Sequence, residues 1–432
     1  MAKTLFNTHS QLQGVWKMDV RAWYDRNKSR LDALYAGQDQ FGRYSGLAEV
    51  FRGHFNREPE AFVSAPGRAE VVGNHTDHQN GKVLAAAVNL DTIAAVAPRD
   101  DNRVVLYSEG FPTAFEVDLG DLSVHGDEAE TTFALIRGVA ARLAQLKYRI
   151  GGFDACVTST VFKGSGLSSS AAFEVMLVGV FDALYNGWVI DPQDNARISQ
   201  YAENVYFGKP SGLMDQMASA VGGLSIQDFG KDPTDVEAIR YDFGAKGFAV
   251  CVVSAGGEHG NLTDAYAAIP AEMKAVAQAM GQTLLQNVTP EALFEAIPRL
   301  KNKVSDRSIL RALHFVDDTR RAQEAADALK RDDLPAFLDI IIRTCNSSWE
   351  LLQNLNVATS SNQEIPLALE MSRRMLEGRG AWRNHGGGFA GTILTFVPFD
   401  MLEKYRATMD SVFGKGATTV LSIRPEGVVW VK

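Results

Sequence analysis

Residues 171–185, AAFEVMLVGVFDALY, are apolar almost throughout. A helix with no polar face is stable only where neighbouring layers cover it, so this segment predicts a buried helix. Directly before it stands Lys163-Gly-Ser-Gly-Leu-Ser-Ser-Ser-Ala-Ala172. Glycines let a backbone approach a ligand closely, and the first amides of a helix lack partners within it. N-capping explains one serine. It does not explain three, nor the glycines beside them. The pattern predicts an anion site at a helix N-terminus, with a hydroxyl able to ligate Mg²⁺ beside a phosphate. It is not a Walker loop, since no Gly-Lys-Ser/Thr follows, and not the Gly-x-Ser-x-Gly elbow of hydrolases.

Three further segments carry chemistry. Residues 65–81, APGRAEVVGNHTDHQNG, pass from a Pro-Gly turn through a short apolar strand into a loop of hydrogen-bonding groups. Arg68, Asn74, His75, Asp77 and His78 crowd there, as a small polyhydroxylated ligand requires. A polar connection between strands is the plain alternative. His75, Asp77 and His78 have no partner cluster elsewhere, so zinc is not expected. Residues 203–216, ENVYFGKPSGLMDQ, set Glu203 and Asp215 on either side of a Gly/Pro/Ser turn. A carboxylate suits Mg²⁺, and a positioned acceptor suits activation of a hydroxyl. Residues 384–392, NHGGGFAGT, hold three consecutive glycines, whose entropic cost is wasted unless something packs on the main chain.

The rest of the chain sets the frame. Its 432 residues predict two or three domains. A net charge of −9 without a basic run disfavours nucleic acid or an anionic membrane as partner. Cys156, Cys251 and Cys345 are spaced for neither disulfides nor a metal. No signal pattern opens the chain, and the apolar stretch 84–97 is too short and polar to span a bilayer. A soluble, cytoplasmic protein is expected. Apolar spacing predicts helices at 16–34, 44–55, 131–146 and across most of 306–355, and helices entered through Pro270 and Pro290. Alternation predicts strands at 83–97, 103–119, 153–161, 248–253, 386–396 and 418–431. Without strict βαβ alternation the expected class is α+β in two lobes with mixed sheets. Residues 1–60 read as a cap or extension, 61–230 as the first lobe and 231–432 as the second.

Taken together, the four segments resemble the GHMP kinase superfamily, and within it the galactokinase branch. Their order is the same: Pro-Gly-Arg…Gly-x-His-Thr-Asp, Gly-Leu-Ser-Ser-Ser-Ala, Gly-x-Met-Asp-Gln, then Gly-Gly-Gly-Phe-x-Gly. The resemblance covers roughly residues 62–432. It implies a two-lobed fold with the site between the lobes, and phosphoryl transfer from MgATP to the anomeric hydroxyl of a hexose. It further implies that Gly164, Ser165, Gly166, Leu167, Ser168, Ser169 and Ser170 cradle the ATP phosphates, with Gly386, Gly387 and Gly388 closing the site. Ser170 and Glu203 would ligate Mg²⁺. Asp215 would be the catalytic base with Arg68 beside it. Asn74, His75, Asp77, His78 and Tyr266, the last seven residues after His259, would line the sugar pocket. A monomer binding only sugar and ATP is expected.

Three positions depart from the family: Asn74 for a glutamate at the sugar's primary hydroxyl, His78 for a tyrosine, and Phe162 for a proline. A glutamate at 74 would repel a carboxylate at carbon six by about 4 kcal/mol at 4 Å and an effective dielectric of ~20. Its replacement keeps galacturonate open as the alternative substrate to galactose. Asn74→Glu is therefore expected to favour galactose. A non-catalytic sugar sensor is the remote alternative, disfavoured because the phosphate loop, Glu203, Asp215 and Arg68 are all present.

Overall fold

The computed structural model describes residues 19–161, 166–256, 263–355, 361–389 and 391–432. In chain order the elements are α1 (Val20–Leu34), α2 (Phe41–Phe55), β1 (Ala61–Val72), β2 (Lys82–Pro98), β3 (Arg103–Ser108), β4 (Phe115–Asp118), α3 (Thr132–Gln145), β5 (Phe153–Ser159), α4 (Ser169–Phe181), α5 (Pro192–Tyr201), α6 (Met214–Val221), β6 (Leu224–Asp228) and β7 (Asp235–Ile239). There follow β8 (Phe248–Gly256), α7 (Thr263–Ala279), α8 (Pro290–Leu300), α9 (Asp306–Lys330), α10 (Leu334–Ser347), α11 (Glu364–Leu376), β9 (Ala381–His385), β10 (Gly391–Pro398), α12 (Phe399–Phe413), β11 (Thr418–Leu421) and β12 (Val429–Val431).

The first sheet runs β12-β1-β2-β5-β3-β4 and is mixed, β3 and β5 being parallel. The 17 residues of β2 are long enough to serve two neighbours in line. Thr92 to Pro98 pair with β5, and Lys82 to Ala86 pair with β6, which in turn pairs with β7. The second sheet, β11-β8-β10-β9, is antiparallel. The α+β expectation holds. Both β7 and β12 lie beyond residue 230 yet belong to the first sheet.

Helix α4 is buried as its composition requires. Ala171, Ala172, Val175, Met176, Leu177, Val178, Val180 and Phe181 are all inaccessible to solvent. Val175 to Val178, Val180 and Phe181 share a core with Val63, Ala65, Val139, Phe153 and Met217 of the first sheet and its helices. A second core reaches from Val71, Leu84 and Ile226 to Phe337, Leu394 and Phe396, so it joins the two sheets. On the first sheet's other face, α1 and α2 bury Trp23, Tyr35, Tyr44 and Phe51 against Phe62, Ile93, Ala95 and Val431. The start of α1 is capped by Asp19, which accepts from the amides of Arg21 and Ala22 at 3.0 Å each. Helices α1 and α2 thus cover this face of the sheet.

Some expected elements differ. The stretch 103–119 is a hairpin, β3 and β4, rather than one strand. The strand expected from Gly386 begins at Gly391, after the glycine turn. Pro270 lies inside α7 rather than in its first turn. A proline removes one helical hydrogen bond, and burial of Ile269, Met273 and Val276 in a core with α8 and α9 keeps the helix continuous across it. Among the described residues no helix is long and apolar enough to cross a membrane.

Candidate active site

The register between β1 and β2 slips between Pro66 and Arg68, and again between Glu70 and Val72. Such bulges re-aim side chains next to functional sites. Here Arg68, 5% exposed, reaches the first turn of α6. Its Nε donates to Asp215 Oδ1 at 2.7 Å and its Nη2 to Oδ2 at 2.8 Å, a bidentate pair. Nη1 donates to the Gly166 carbonyl, and the Arg68 amide to the Leu167 carbonyl at 3.0 Å. Burial pulls the Asp215 carboxyl up, but the Arg68 charge and hydrogen bonds, with one from Ser168, outweigh it. The group is held below the usual carboxylate range.

Ser168 precedes α4 with φ of +58° and makes no side-chain cap. Its hydroxyl serves Asp215 instead, so simple N-capping does not explain this serine. Ser169 and Ser170 form the half-buried first turn. Ser170 Oγ donates to Glu203 Oε1 at 3.1 Å, and Lys209 Nζ donates to the same oxygen at 2.9 Å. Burial alone would pull the Lys209 ammonium down, and Glu203 more than offsets it. A hydroxyl and a carboxylate this close, beside a helix N-terminus, are oxygen donors of the kind Mg²⁺ takes, with its other positions left to water and phosphate. The residues present therefore fit the ion. Gly164 and Ser165, like Phe162 and His259, lie outside the described residues.

Asp77 is half-buried, and its Oδ2 accepts from the Met214 amide at 3.2 Å. A Cβ on Gly212 would stand 1.7 Å from that oxygen, so only glycine lets the two loops meet here. His75 Nε2 lies 3.0 Å from the Gly387 carbonyl, and its ring stacks on His78 with centroids 5.7 Å apart. Burial and the neighbouring His78 hold the His75 imidazole low, hence neutral. Tyr266 donates to the Gly388 carbonyl at 2.8 Å. Its ring lies where a Cβ on Gly387 would be, 2.5 Å from Cε1, which accounts for that glycine. Burial pushes the Tyr266 phenol up to about 12. Asp215, Asp77, His75, His78, Tyr266, Gly387 and Ser168 to Ser170 are all partly open to solvent.

Asn74 is placed differently from expectation. Its side chain is inaccessible to solvent, and both amide hydrogens are used, on Glu70 Oε1 and the Gly386 carbonyl at 2.8 Å each. Its Oδ1 accepts from Asn354 at 2.8 Å and Asn384 at 3.0 Å. The direct reading of carbon six by residue 74 is thereby corrected: the amide fastens the glycine turn to the end of β1. Glu70 also takes Arg383 Nη2 at 2.7 Å, and burial pushes its carboxyl up to about 7 against the pull of Arg383 and Arg68. The Glu70 amide donates to His385 Nε2 at 3.2 Å, which puts that ring's proton on Nδ1, facing Thr392 Oγ1. Glu70, Arg383, Asn354 and Asn384 were not singled out from sequence. For Glu70 there was a signal, since strand alternation puts residues 68 and 70 on one face. We expect Asn74→Glu to cost about 1–3 kcal/mol of stability, because a carboxylate would face Glu70 and the Gly386 carbonyl. Denaturant unfolding checks this, and a wild-type midpoint would show that the amide is dispensable.

Residues 49–98 match the galactokinase galactose-binding signature, and residues 134–223 match the GHMP kinases N terminal domain. The fold is similar to that of Lactococcus lactis galactokinase complexed with galactose, at a TM-score of 0.79 and 22% identity, over 89% of this chain and 99% of that one. It is also similar to Methanococcus jannaschii mevalonate kinase, at 0.61 and 12%, over 84% and 98%. Streptococcus pneumoniae phosphomevalonate kinase follows at 0.55 and 12%, over 85% and 99%. Fold and signatures together define a kinase of the GHMP superfamily. Within that superfamily, residues 49–98 carry the signature of the galactokinase branch.

Proposed function

We propose that the chain is a sugar 1-kinase that transfers the γ-phosphoryl group of ATP to the anomeric hydroxyl of galactose. The observation that carries this reading is the bidentate Arg68–Asp215 pair. Asp77 accepts from the amide next to Asp215, and Ser168 at the start of α4 donates to Asp215, which supports one site shared by the two segments. The sugar would lie against Asp77, His75 and Tyr266 and the triphosphate along the start of α4. Mg²⁺ held by Ser170 and Glu203 would neutralise charge on the phosphates. Asp215 would accept a hydrogen bond from the anomeric hydroxyl and receive its proton as the new P–O bond forms and the bond from the γ-phosphorus to the bridging oxygen breaks, releasing ADP. Arg68 keeps Asp215 ionised and offsets charge on the transferring group. Its low basicity makes Asp215 an orienting acceptor first and a base second. The first sheet with its cap, and the second sheet with its helices, would be the two lobes around this site.

Galacturonate is the second reading, resting on His78, which is partly open to solvent, rather than on the buried Asn74. Its electrostatic ground is weaker in the folded protein, because Glu70 restores an acidic group beside Asn74. The test is ATP consumption by the purified protein with Mg²⁺ and galactose, galacturonate, glucose, N-acetylgalactosamine or arabinose. We expect galactose to be turned over fastest. Turnover confined to galacturonate would move the assignment to the second reading, and no turnover with any hexose would overturn both.

A further inference from the structure

One turn beyond Ser170 on α4 stands Glu174, an acid with no solvent access in a helix otherwise apolar there. Its Oε2 accepts from Gln216 Nε2 at 3.1 Å, and that same nitrogen donates to Glu203 Oε2 at 2.8 Å. Gln216, itself fully buried, thus spends one amide hydrogen on each carboxyl group. The remaining oxygens, Glu174 Oε1 and Gln216 Oε1, are both buried and have no partner among the described residues. Two unprotonated acceptors cannot satisfy one another. A carboxylic acid and a primary amide can, because the acid O–H donates to the amide carbonyl while the amide N–H donates back. Burial and the nearby Glu203 charge both hold the Glu174 carboxyl well above its usual range, which favours the acid.

We propose that Glu174 and Gln216 are positioning residues that lock the Glu203 carboxylate in the rotamer that, with Ser170, faces a divalent cation. The two oxygens of Glu203 divide the work. Oε2 is pinned from inside by Gln216, and Oε1 is left toward Ser170 and Lys209. Gln216 adjoins Asp215 on α6, so one short helix start fixes both carboxylates of the site. The inference rests on the reading of Ser170 and Glu203 as the cation's protein ligands.

The test is Mn²⁺ affinity in the presence of ADP, read from the spin-resonance signal of free Mn²⁺. It compares wild type, Glu174→Gln, Glu174→Met, Gln216→Leu and the double variant Glu174→Met/Gln216→Leu. Metal-free ADP binding and thermal melts run alongside. Glutamine at 174 can still give and take one hydrogen bond with Gln216, so Glu174→Gln should keep affinity within about twofold. Glu174→Met and Gln216→Leu should each weaken Mn²⁺ about tenfold, the double variant no more than either, with metal-free ADP affinity unchanged. Wild-type affinity in Glu174→Met and Gln216→Leu overturns the proposal. So does a loss in Glu174→Gln equal to that in Glu174→Met, which would assign the effect to charge. If Glu174→Met does not fold, Gln216→Leu and Glu174→Gln decide alone. Wild type binding Mn²⁺ no better than Glu203→Gln would instead overturn the underlying reading of the cation site, and the inference with it.

Discussion

Asp215→Asn should lower kcat by about 10²–10⁴-fold while ADP binding stays within twofold. The asparagine keeps one acceptor but turns an N–H toward a guanidinium that now donates to both carboxylate oxygens. The hydroxyl to be phosphorylated loses its acceptor, and Arg68 loses its partner. Kinetics under saturating ATP and calorimetric titration with ADP check the two halves separately. A variant within threefold of wild-type turnover would sink the role proposed for Asp215. The pH dependence gives an independent reading. A carboxyl held low is ionised above its depressed pKa, so the active form persists through the neutral range and is lost only as pH falls below the usual carboxylate values. An acid limb near pH 6 would mean that Arg68 does not control this group.

Asp91→Ala should cost about 3–5 kcal/mol of stability, the scale for stranding buried charge. Asp91 has no solvent access. It accepts from Tyr35 Oη and Ser64 Oγ at 2.5 Å each, Arg43 Nη1 at 2.9 Å and Arg424 Nη1 at 3.1 Å. Removing it leaves Arg424, wholly buried, and Arg43, mostly buried, without their acid. Equilibrium denaturation measures the loss. A change under 1 kcal/mol would mean that water replaces the carboxylate. Tyr35 and Arg43 come from the cap, so the same variant should loosen α1 and α2 first, visible as faster amide exchange there.

Local features of this protein were legible in its sequence. The apolar run of α4, the cap helices and the glycine-bearing loops each announce themselves within a dozen residues. The structure joins Arg68 to Asp215 and His75 to the glycine turn, and these unions were approached through motif order rather than through periodicity. What stayed hidden is non-local. Asn74 looked like a free amide because its partners, Glu70 apart, are 274 to 312 residues away. Arg383 and Glu70 form an ion pair 313 residues apart. Pro270 read as a helix start because proline's local preference is clear, and the tertiary core that overrides it is not.

The strand β12 pairs with β1, and α1 lies across it, Asn27 donating to the Lys432 carbonyl and Arg30 to Glu426. The first sheet therefore cannot be completed by the ribosome's early product. Some 360 residues must emerge before β1 finds its outer neighbour, a closure whose entropic cost is met late and which slows folding. Until then the apolar face beneath α1 waits, and a strand made late fastens two helices made early.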